Sequence, residues 1–404
     1  MKVLLVSALS YEGVAGSSTV LRGVIEYLAK RGDHVEVLTY GKKNQTVQIR
    51  MDNDCSFIAH HIGALRLPGA SSLTMLARLA SLGAFGRFDL ILCGVASPSA
   101  ILTYLTHSIT RSPYSVYSHG EDVTEVTKHR GIKRLLLAPA LRAATTIMAN
   151  SHFTRDAIAA FGIAQNRILY MPPWVDRQRF EDVSPEQVEQ LRTRWGLEGK
   201  RVILTVARLA ERKGHDTIIR ALPSLCTDIP NLHYVIVGLG DQQALRKLAQ
   251  DEGVADHITF VEYVPDSELP ALYHLCDLFA MVSRWDRVSD QVEGFGIVYL
   301  EAAACAKPTV AGSAGGCADA VQDGVTGLIV DPTSVAQTRD ALRQLLMSPD
   351  RAASMGKAGR EWVRERFDRE IRLRSLSQAL EATVRRPDPD SHEGSRGLQQ
   401  VGKS

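Results

Sequence analysis

The 404-residue chain lacks features that mark several common classes of protein. Its six cysteines are scattered and include no C-x-x-C pair, which argues against a zinc site and favours reduced thiols in a cytoplasmic protein. Apolar stretches stay shorter than the ~18–20 residues that a membrane span needs. The chain opens on a strand-like segment rather than a signal-peptide core, so export is not expected.

Strong charge of one sign is also missing. Lys and Arg total 47 against 45 Asp and Glu, a net charge of +2, so the chain has no global field that would attract nucleic acid. Hydrophobic residues make up 45% and charged residues 23%, which is typical of a globular protein. A chain of 404 residues is long enough for two or three domains.

The chain does contain a regular alternation of strand-like and helix-like segments. In the first half, short apolar runs predict parallel strands at 2–7, 34–40, 89–93, 114–118, 146–149 and 167–170. In the second half, they predict strands at 201–206, 232–237, 257–261, 277–282, 308–311 and 327–330. The predicted fold class is α/β, with two Rossmann-like, doubly wound parallel-sheet domains.

The consecutive prolines Pro172 and Pro173 interrupt the alternation, because they remove two N–H donors and stiffen the chain. We predict a first domain at 1–171, a connector at 172–176 and a second domain at 177–367. A helix over 368–384 is expected to pack back on the first domain. Residues 385–404 are rich in glycine, proline and polar residues, and we expect a disordered tail.

Ionisable residues follow several of the predicted strands, at the sheet edge where α/β domains bind ligands. Arg208 and Lys213 stand five positions apart in a turn that enters a helix, and two such cations suit a diphosphate. His119 follows the strand at 114–118 and is expected to point into a cleft between the two predicted domains. On these residues alone, a solvated basic turn and a structural histidine remain alternatives.

Two glutamates, Glu293 and Glu301, stand eight positions apart around a glycine-containing turn and the start of a helix. The unpaired N–H groups and the dipole of a helix N-terminus favour an anion. A carboxylate on each side can accept hydrogen bonds from hydroxyl groups. This combination suits a sugar nucleotide, while ordinary exposed glutamates beside a turn are the alternative.

Together these motifs resemble the retaining glycosyltransferases of the GT-B fold, family 4 type. The closest motif match is to the GDP-mannose-dependent mannosyltransferases of the phosphatidylinositol mannoside kind. The resemblance extends to about residue 380 and rests on Arg208…Lys213-Gly214, on Glu293-Gly-Phe-Gly…Glu301 and on Ala314-Gly-Gly316. It implies two domains that face each other across a cleft. The loop at 13–16 departs from the family, which commonly has two adjacent glycines there.

The resemblance also implies roles for individual residues. His119, Arg208, Lys213 and Glu293 would be catalytic, with the two cations on the diphosphate and Glu293 on the hydroxyls of the donor sugar. Glu301 would hold the ribose. The donor-binding candidates are Gly16, Gly238, Tyr263, Val264, Arg284, Phe295, Gly296, Ile297, Glu301, Gly315 and Gly316.

The implied reaction moves a hexose-type sugar from a nucleoside diphosphate sugar to a small-molecule or lipid acceptor, with a GDP-sugar favoured over a UDP-sugar. Retention of the anomeric configuration, a metal-independent reaction and no cofactor are expected. The triplets Asp52-Asn-Asp54 and Asp388-Pro-Asp390 are interpreted as coincidental rather than as metal sites. An epimerase, a phosphorylase or a non-catalytic nucleotide-sugar binder on the same scaffold remain alternatives.

A basic and then apolar segment around Lys133 and Arg134 leaves a peripheral contact with a membrane surface open. The alternative is an ordinary surface helix whose core face lies at Leu135–Leu137.

Overall fold

The computed structural model describes residues 1–8, 10–11, 13, 16–51, 55–63, 70–86, 88–128, 131–286 and 290–385. Both Asp-x-Asp triplets and residues 386–404 of the predicted tail lie outside these ranges. Within the ranges, no helix combines the length and hydrophobicity that crossing a bilayer requires. The strands form two separate sheets, one from each half of the chain, which confirms the predicted α/β class.

The first sheet has eight strands in the order β3-β4-β2-β1-β5-β6-β7-β8. Their bounds are β1 Lys2–Ser7, β2 His34–Gly41, β3 Gln45–Arg50, β4 Ser56–Gly63, β5 Leu90–Cys93, β6 Tyr114–Ser118, β7 Thr146–Ala149 and β8 Ile168–Tyr170. All neighbours are parallel except β3 and β4. The sequence prediction missed both, and β3 is a largely exposed, polar edge strand without the apolar run that marks a buried one.

The second sheet has six parallel strands in the order β11-β10-β9-β12-β13-β14. Their bounds are β9 Arg201–Val206, β10 Leu232–Val237, β11 Ile258–Val261, β12 Leu278–Met281, β13 Thr309–Gly312 and β14 Gly327–Val330. All six coincide with predicted strands to within one residue at each end. Buried parallel strands read as short apolar runs, and these are the signals that the sequence displays most plainly.

Helices cover both faces of the two sheets. In the first half they are α1 Gly16–Lys30, α2 Ala70–Gly86, α3 Ile101–Thr110, α4 Glu121–Lys128, α5 Ile132–Ala143 and α6 His152–Ala159. In the second half they are α7 Arg177–Glu181, α8 Pro185–Arg194, α9 His215–Asp228, α10 Gln243–Asp251, α11 Leu269–Leu275, α12 Ile297–Ala304, α13 Cys317–Ala320, α14 Val335–Leu346, α15 Pro349–Arg366 and α16 Arg369–Arg385. Because α1 begins at Gly16, Ser17 and Ser18 lie inside its first turn.

Each strand at the centre of a sheet contributes to two hydrophobic clusters, one on each face. In β1, Val3 and Leu5 pack with α1, whereas Leu4 and Val6 pack on the opposite face. This alternation follows from the two-residue period of a strand. The six cysteines are free, and four of them are buried in these clusters or beside them.

The chain passes from the first sheet to the second through residues 171–176 and later returns. Trp174 packs against α1 at Gly23, where an added Cβ would lie 2.8 Å from the indole ring. The N–H of Val175 donates to the carbonyl of Phe367 (3.0 Å), just before α16 begins. In α16, Leu373, Leu376 and Leu380 are buried in the cluster that covers the α1 face of the first sheet.

We expect replacement of Leu376 by Ala to destabilise the protein by about 2–5 kcal/mol, because it leaves a cavity between α16 and the first sheet. Denaturant unfolding followed by circular dichroism measures the change. The control is Ile371→Ala on the same helix, since Ile371 is exposed. Equal destabilisation by the two substitutions would show that α16 does not depend on this packing.

Candidate functional site

The loops that follow the strands of the two sheets touch each other. Gly294 lies against the backbone of His119 and Gly120, and Arg212 forms an ion pair with Glu121 (2.9 Å). These loops follow β6 in the first sheet and β9 and β12 in the second. The carboxyl ends of the strands are therefore brought together, as expected for ligand binding between two open α/β sheets.

Two further contacts join the same loops. The backbone N–H of His152 donates to Asp319 at the start of α13 (3.2 Å), and the two side chains also pair. The rings of Phe153 and Trp285 meet edge to face, with their centroids 5.9 Å apart. The two sheets are thus in a closed arrangement, in which each contributes residues to one shared region.

The segment 293–296 requires its glycines. An added Cβ at Gly294 would lie 2.0 Å from the carbonyl oxygen of His119, so no side chain fits between the two halves at this point. Gly296 has φ +93° and precedes the first turn of α12. A left-handed conformation favours glycine, and it leaves the first N–H groups of α12 directed out of the helix end.

Glu293 is a nearly buried carboxylate, with 13% of its side chain exposed. Its Oε2 accepts from Lys213 Nζ and from Arg212 Nη1 (3.4 Å). Burial raises the pKa of Glu293, but Lys213 and Arg212 outweigh burial and hold the pKa below its ordinary value. No described residue donates to Oε1, so this oxygen of a charged carboxylate is available to accept from a hydroxyl.

The cations come from one tight turn after β9. Glu211–Lys213 form a short 3-10 turn, and Gly214 follows with φ +72°. A Cβ at Gly214 would lie 2.2 Å from the carbonyl oxygen of Val282, which fixes the turn against the end of β12. Arg208 is exposed, and its guanidinium makes no hydrogen bond or ion pair with another described residue. Arg208 is therefore the cation of this turn whose side chain is available to bind an anion.

His119 enters the region from the first sheet, directly after β6. Its Nε2 lies 3.1 Å from the carbonyl oxygen of Gly94, and because a carbonyl only accepts, Nε2 must carry the proton. Burial lowers the pKa of His119. The imidazole is accordingly neutral near pH 7, which leaves Nδ1 as an acceptor.

Glu301 lies inside α12 and is held differently from Glu293. Its Oε2 accepts from the hydroxyl of Tyr273 (2.6 Å), and burial raises its pKa despite that bond. The two glutamates of the motif are thus separated in environment as well as in sequence. Glu293 is charged and contacts two cations, whereas Glu301 accepts a hydrogen bond from the Tyr273 hydroxyl.

The structure distributes the remaining candidates unevenly. Gly315 and Gly316 lie against the backbone of residues 293–294, and an added Cβ at Gly16 would lie 3.2 Å from Ile297 Cδ1. Phe295 is buried against Phe367, with 5.7 Å between the ring centroids, so only its backbone can face a ligand.

Other candidates lie further from Glu293 along the sheet or are already engaged. Gly238 follows β10, and a Cβ there would lie 1.9 Å from the carbonyl oxygen of Ala207. Tyr263 and Val264 follow the edge strand β11, the first exposed and the second buried in the core. Arg284 pairs with Asp216 (2.9 Å) and Glu211 (3.3 Å), which fixes its guanidinium within the protein.

The sequence-based predictions assign no role to Arg212 or Asn150. Arg212 stands beside Lys213, and a buried arginine in a basic turn cannot be distinguished from a solvated one by composition. Asn150 follows β7, and its side-chain amide donates to the carbonyl of His119 (3.0 Å). Its position directly after a predicted strand is the signal that could have identified it.

Two family models match consecutive parts of the chain. Residues 15–174 match the model described as a glycosyl transferase 4-like domain, and residues 187–362 match the model described as glycosyl transferases group 1. Together they span most of both halves.

Known proteins also resemble this chain. A GDP-mannose-dependent alpha-(1-6)-phosphatidylinositol monomannoside mannosyltransferase of Mycobacterium tuberculosis is 38% identical over 76% of this chain and 78% of its own. A monoacylated phosphatidylinositol monomannoside mannosyltransferase of Corynebacterium glutamicum, also GDP-mannose-dependent, is 31% identical over 74% and 77%. Among solved structures, Anabaena HepE in complex with UDP superposes with a TM-score of 0.78, at 20% identity over 95% of this chain and 100% of that one.

We expect Gly294→Ala to prevent the closed arrangement, because its Cβ would clash with the His119 carbonyl oxygen. Overpacking of this kind costs about 1–3 kcal/mol. Separation of the halves would relieve it and would raise the radius of gyration in small-angle scattering, while circular dichroism stays unchanged. Gly131→Ala is the control, since an added Cβ there meets nothing within 4 Å. Scattering identical to the parent would contradict the prediction.

Proposed function

This chain belongs to the glycosyltransferases of the GT-B fold, family 4 type, as its motifs predicted, and we propose that it transfers mannose from GDP-mannose to a lipid-linked acceptor. The relatives that are 38% and 31% identical are both GDP-mannose-dependent, and both act on phosphatidylinositol mannosides. The observation that carries the proposal is the Glu293 carboxylate, held charged between Lys213 and Arg212, while the adjacent Gly294 lies against the His119 backbone.

The cations supply the diphosphate site in this proposal. The guanidinium of Arg208 has no hydrogen-bond or ion-pair partner among the described residues, and Lys213 stands five positions later, at the end of the 3-10 turn. At about 4 Å and an effective dielectric constant near 20, each contact with a phosphate charge is worth roughly 4 kcal/mol before desolvation. These fixed charges can stabilise a diphosphate leaving group, and the proposed reaction accordingly proceeds without a metal ion.

Glu293 and His119 would position the sugar. Glu293 Oε1 accepts from a sugar hydroxyl, and the neutral His119 accepts at Nδ1 from another. Both side chains keep these protonation states through neutral pH, because the pKa of each lies below its ordinary value. Positioning and electrostatics then account for the rate acceleration.

The proposed chemistry retains the anomeric configuration. The bond between the anomeric carbon and the phosphate oxygen breaks, and the acceptor oxygen bonds to the same face of that carbon. The proton of the acceptor hydroxyl passes to the departing phosphate, so no protein base is needed. The products are the mannosylated acceptor and GDP.

The surface of α5 supports a lipid-linked acceptor. Ile132 and Leu135 are 72% and 76% exposed, and the charged Lys133 and Arg134 are exposed between them. The expected core face at Leu135–Leu137 is wrong for Leu135, since within that triplet only Leu137 is fully buried. Apolar side chains interleaved with basic ones suit the surface of an anionic membrane.

We expect the purified protein to transfer mannose from GDP-mannose to a phosphatidylinositol mannoside in excess chelator, with an α-linked product by NMR. Glu293→Gln should lower kcat by at least about 100-fold, the scale of one lost electrostatic contact to the transition state, while GDP still binds. Requirement for Mn²⁺ or Mg²⁺ would contradict metal independence. Conversion of the donor without an acceptor would indicate an epimerase.

Membrane contact has a separate test. We expect the protein to sediment with vesicles containing anionic phospholipid. The double substitution Lys133→Gln with Arg134→Gln should weaken that binding roughly 30-fold, because each basic residue contributes about 1 kcal/mol near such a surface. Replacement of Lys247 and Arg220 by Gln is the matched control, since both lie in the second half. Absence of binding by the parent would remove the membrane from the proposal.

A further inference from the structure

One guanidinium group links the two halves of the molecule at the site. Arg212 Nη2 lies 2.9 Å from Glu121 Oε1 at the start of α4, in the first half. Its Nη1 lies 3.4 Å from Glu293 Oε2, in the second half. Only 6% of the Arg212 side chain is exposed.

Burial of the Arg212 guanidinium costs desolvation free energy. A buried charge must be paired and hydrogen-bonded. A protein in which apolar side chains replace such a network is often as stable as the original, or more stable. Arg212 Nε, moreover, is buried and has no hydrogen-bond partner among the described residues. Buried polar atoms of this kind are rare and call for an explanation other than stability.

The backbone is fixed by hydrogen bonds on both sides of the contact between Glu121 and Arg212. Glu121 follows His119 and Gly120, whose N–H groups donate to Asp122 Oδ1 (3.0 and 2.9 Å). The backbone of Arg212 is fixed as well, since its carbonyl accepts from the N–H of Arg284 (2.8 Å). The distance between Glu121 and Arg212 therefore depends on how closely the two halves approach.

Arg212 and Lys213 contact the same oxygen of Glu293. The Lys213 ammonium is a point charge on a flexible side chain, so a contact with Lys213 alone would let the Glu293 carboxylate rotate. A guanidinium instead offers several donors in one fixed plane. A second contact at Oε2 restricts that rotation and leaves Oε1 in one direction. The orientation of the sugar-facing oxygen is thus tied to a group that Glu121 holds from the other half.

We propose that Arg212 is a positioning residue that couples closure of the two domains to the orientation of Glu293 toward the donor sugar. The proposal rests on the proposed function, because it assigns Arg212 a part in transfer from a nucleotide sugar. When the domains open, Arg212 loses Glu121 and Glu293 loses its fixed orientation. Closure over the donor then restores both, so Glu293 is positioned only in the closed state.

The test uses Arg212→Lys, Glu121→Gln and the double variant in the full-length protein. Lysine retains the charge but cannot reach both carboxylates, and glutamine keeps the shape of Glu121 without its charge. We expect each single variant to lower kcat at least tenfold while the Kd for GDP, which carries no sugar, stays within threefold. The double variant should be no slower than the slower single variant, since the two residues act through one contact.

Two controls separate this role from a structural one. Arg220→Lys alters a more exposed ion pair with Glu252 (2.9 Å) and should match the parent. His152→Ala removes the side-chain pair of His152 with Asp319, a different contact between the halves, and should lower kcat less than Glu121→Gln does.

Parent-like kcat in Arg212→Lys or Glu121→Gln would overturn the inference, and so would multiplicative losses in the double variant. An equal loss in His152→Ala would also overturn it, because general closure rather than the orientation of Glu293 would then be responsible. Failure of the proposed function looks different, since the parent itself would transfer no sugar from any nucleotide donor.

Discussion

The site depends on one buried carboxylate that stays charged. Glu293 is nearly removed from water, and a carboxylate in that position is tolerated only beside compensating cations. Lys213 and Arg212 provide them, and the turn that carries both is fixed by the close contact of Gly214 with β12. The backbone of the neighbouring Gly294 then meets His119 directly. Electrostatic compensation and close backbone packing therefore have to be satisfied in the same place.

The two halves contribute to this region unequally. The second half supplies the charged Glu293, the cations of the turn after β9 and the N-terminal end of α12. The first half supplies the neutral His119, Asn150 and Glu121. A nucleotide sugar would find most of its charge complement on one side of the cleft. The first half presents groups that donate or accept single hydrogen bonds. It also presents Glu121, which pairs with Arg212.

Much of this organisation could be predicted from the sequence, and the exceptions have physical causes. The six strands of the second sheet are buried on both faces, so their apolar runs are unambiguous, and the residues that follow them identify Arg208, Lys213 and Glu293. The polar edge strand β3 carries no such run and was missed. Arg212 was missed because burial of an arginine depends on a partner, Glu121, that is distant in sequence. Composition cannot report such a contact, whereas a resemblance between motifs covers only residues that the motif contains.

The return of α16 to the first sheet has a consequence for the order in which the protein forms during synthesis. Leu373, Leu376 and Leu380 complete the cluster that contains Val3 and Leu5, yet the ribosome reaches them only after the entire second sheet has been made. Domains generally fold in the order in which they emerge. Here the second domain can complete its core first, while the first waits with one apolar face uncovered. A segment made late thus closes the domain that was begun first.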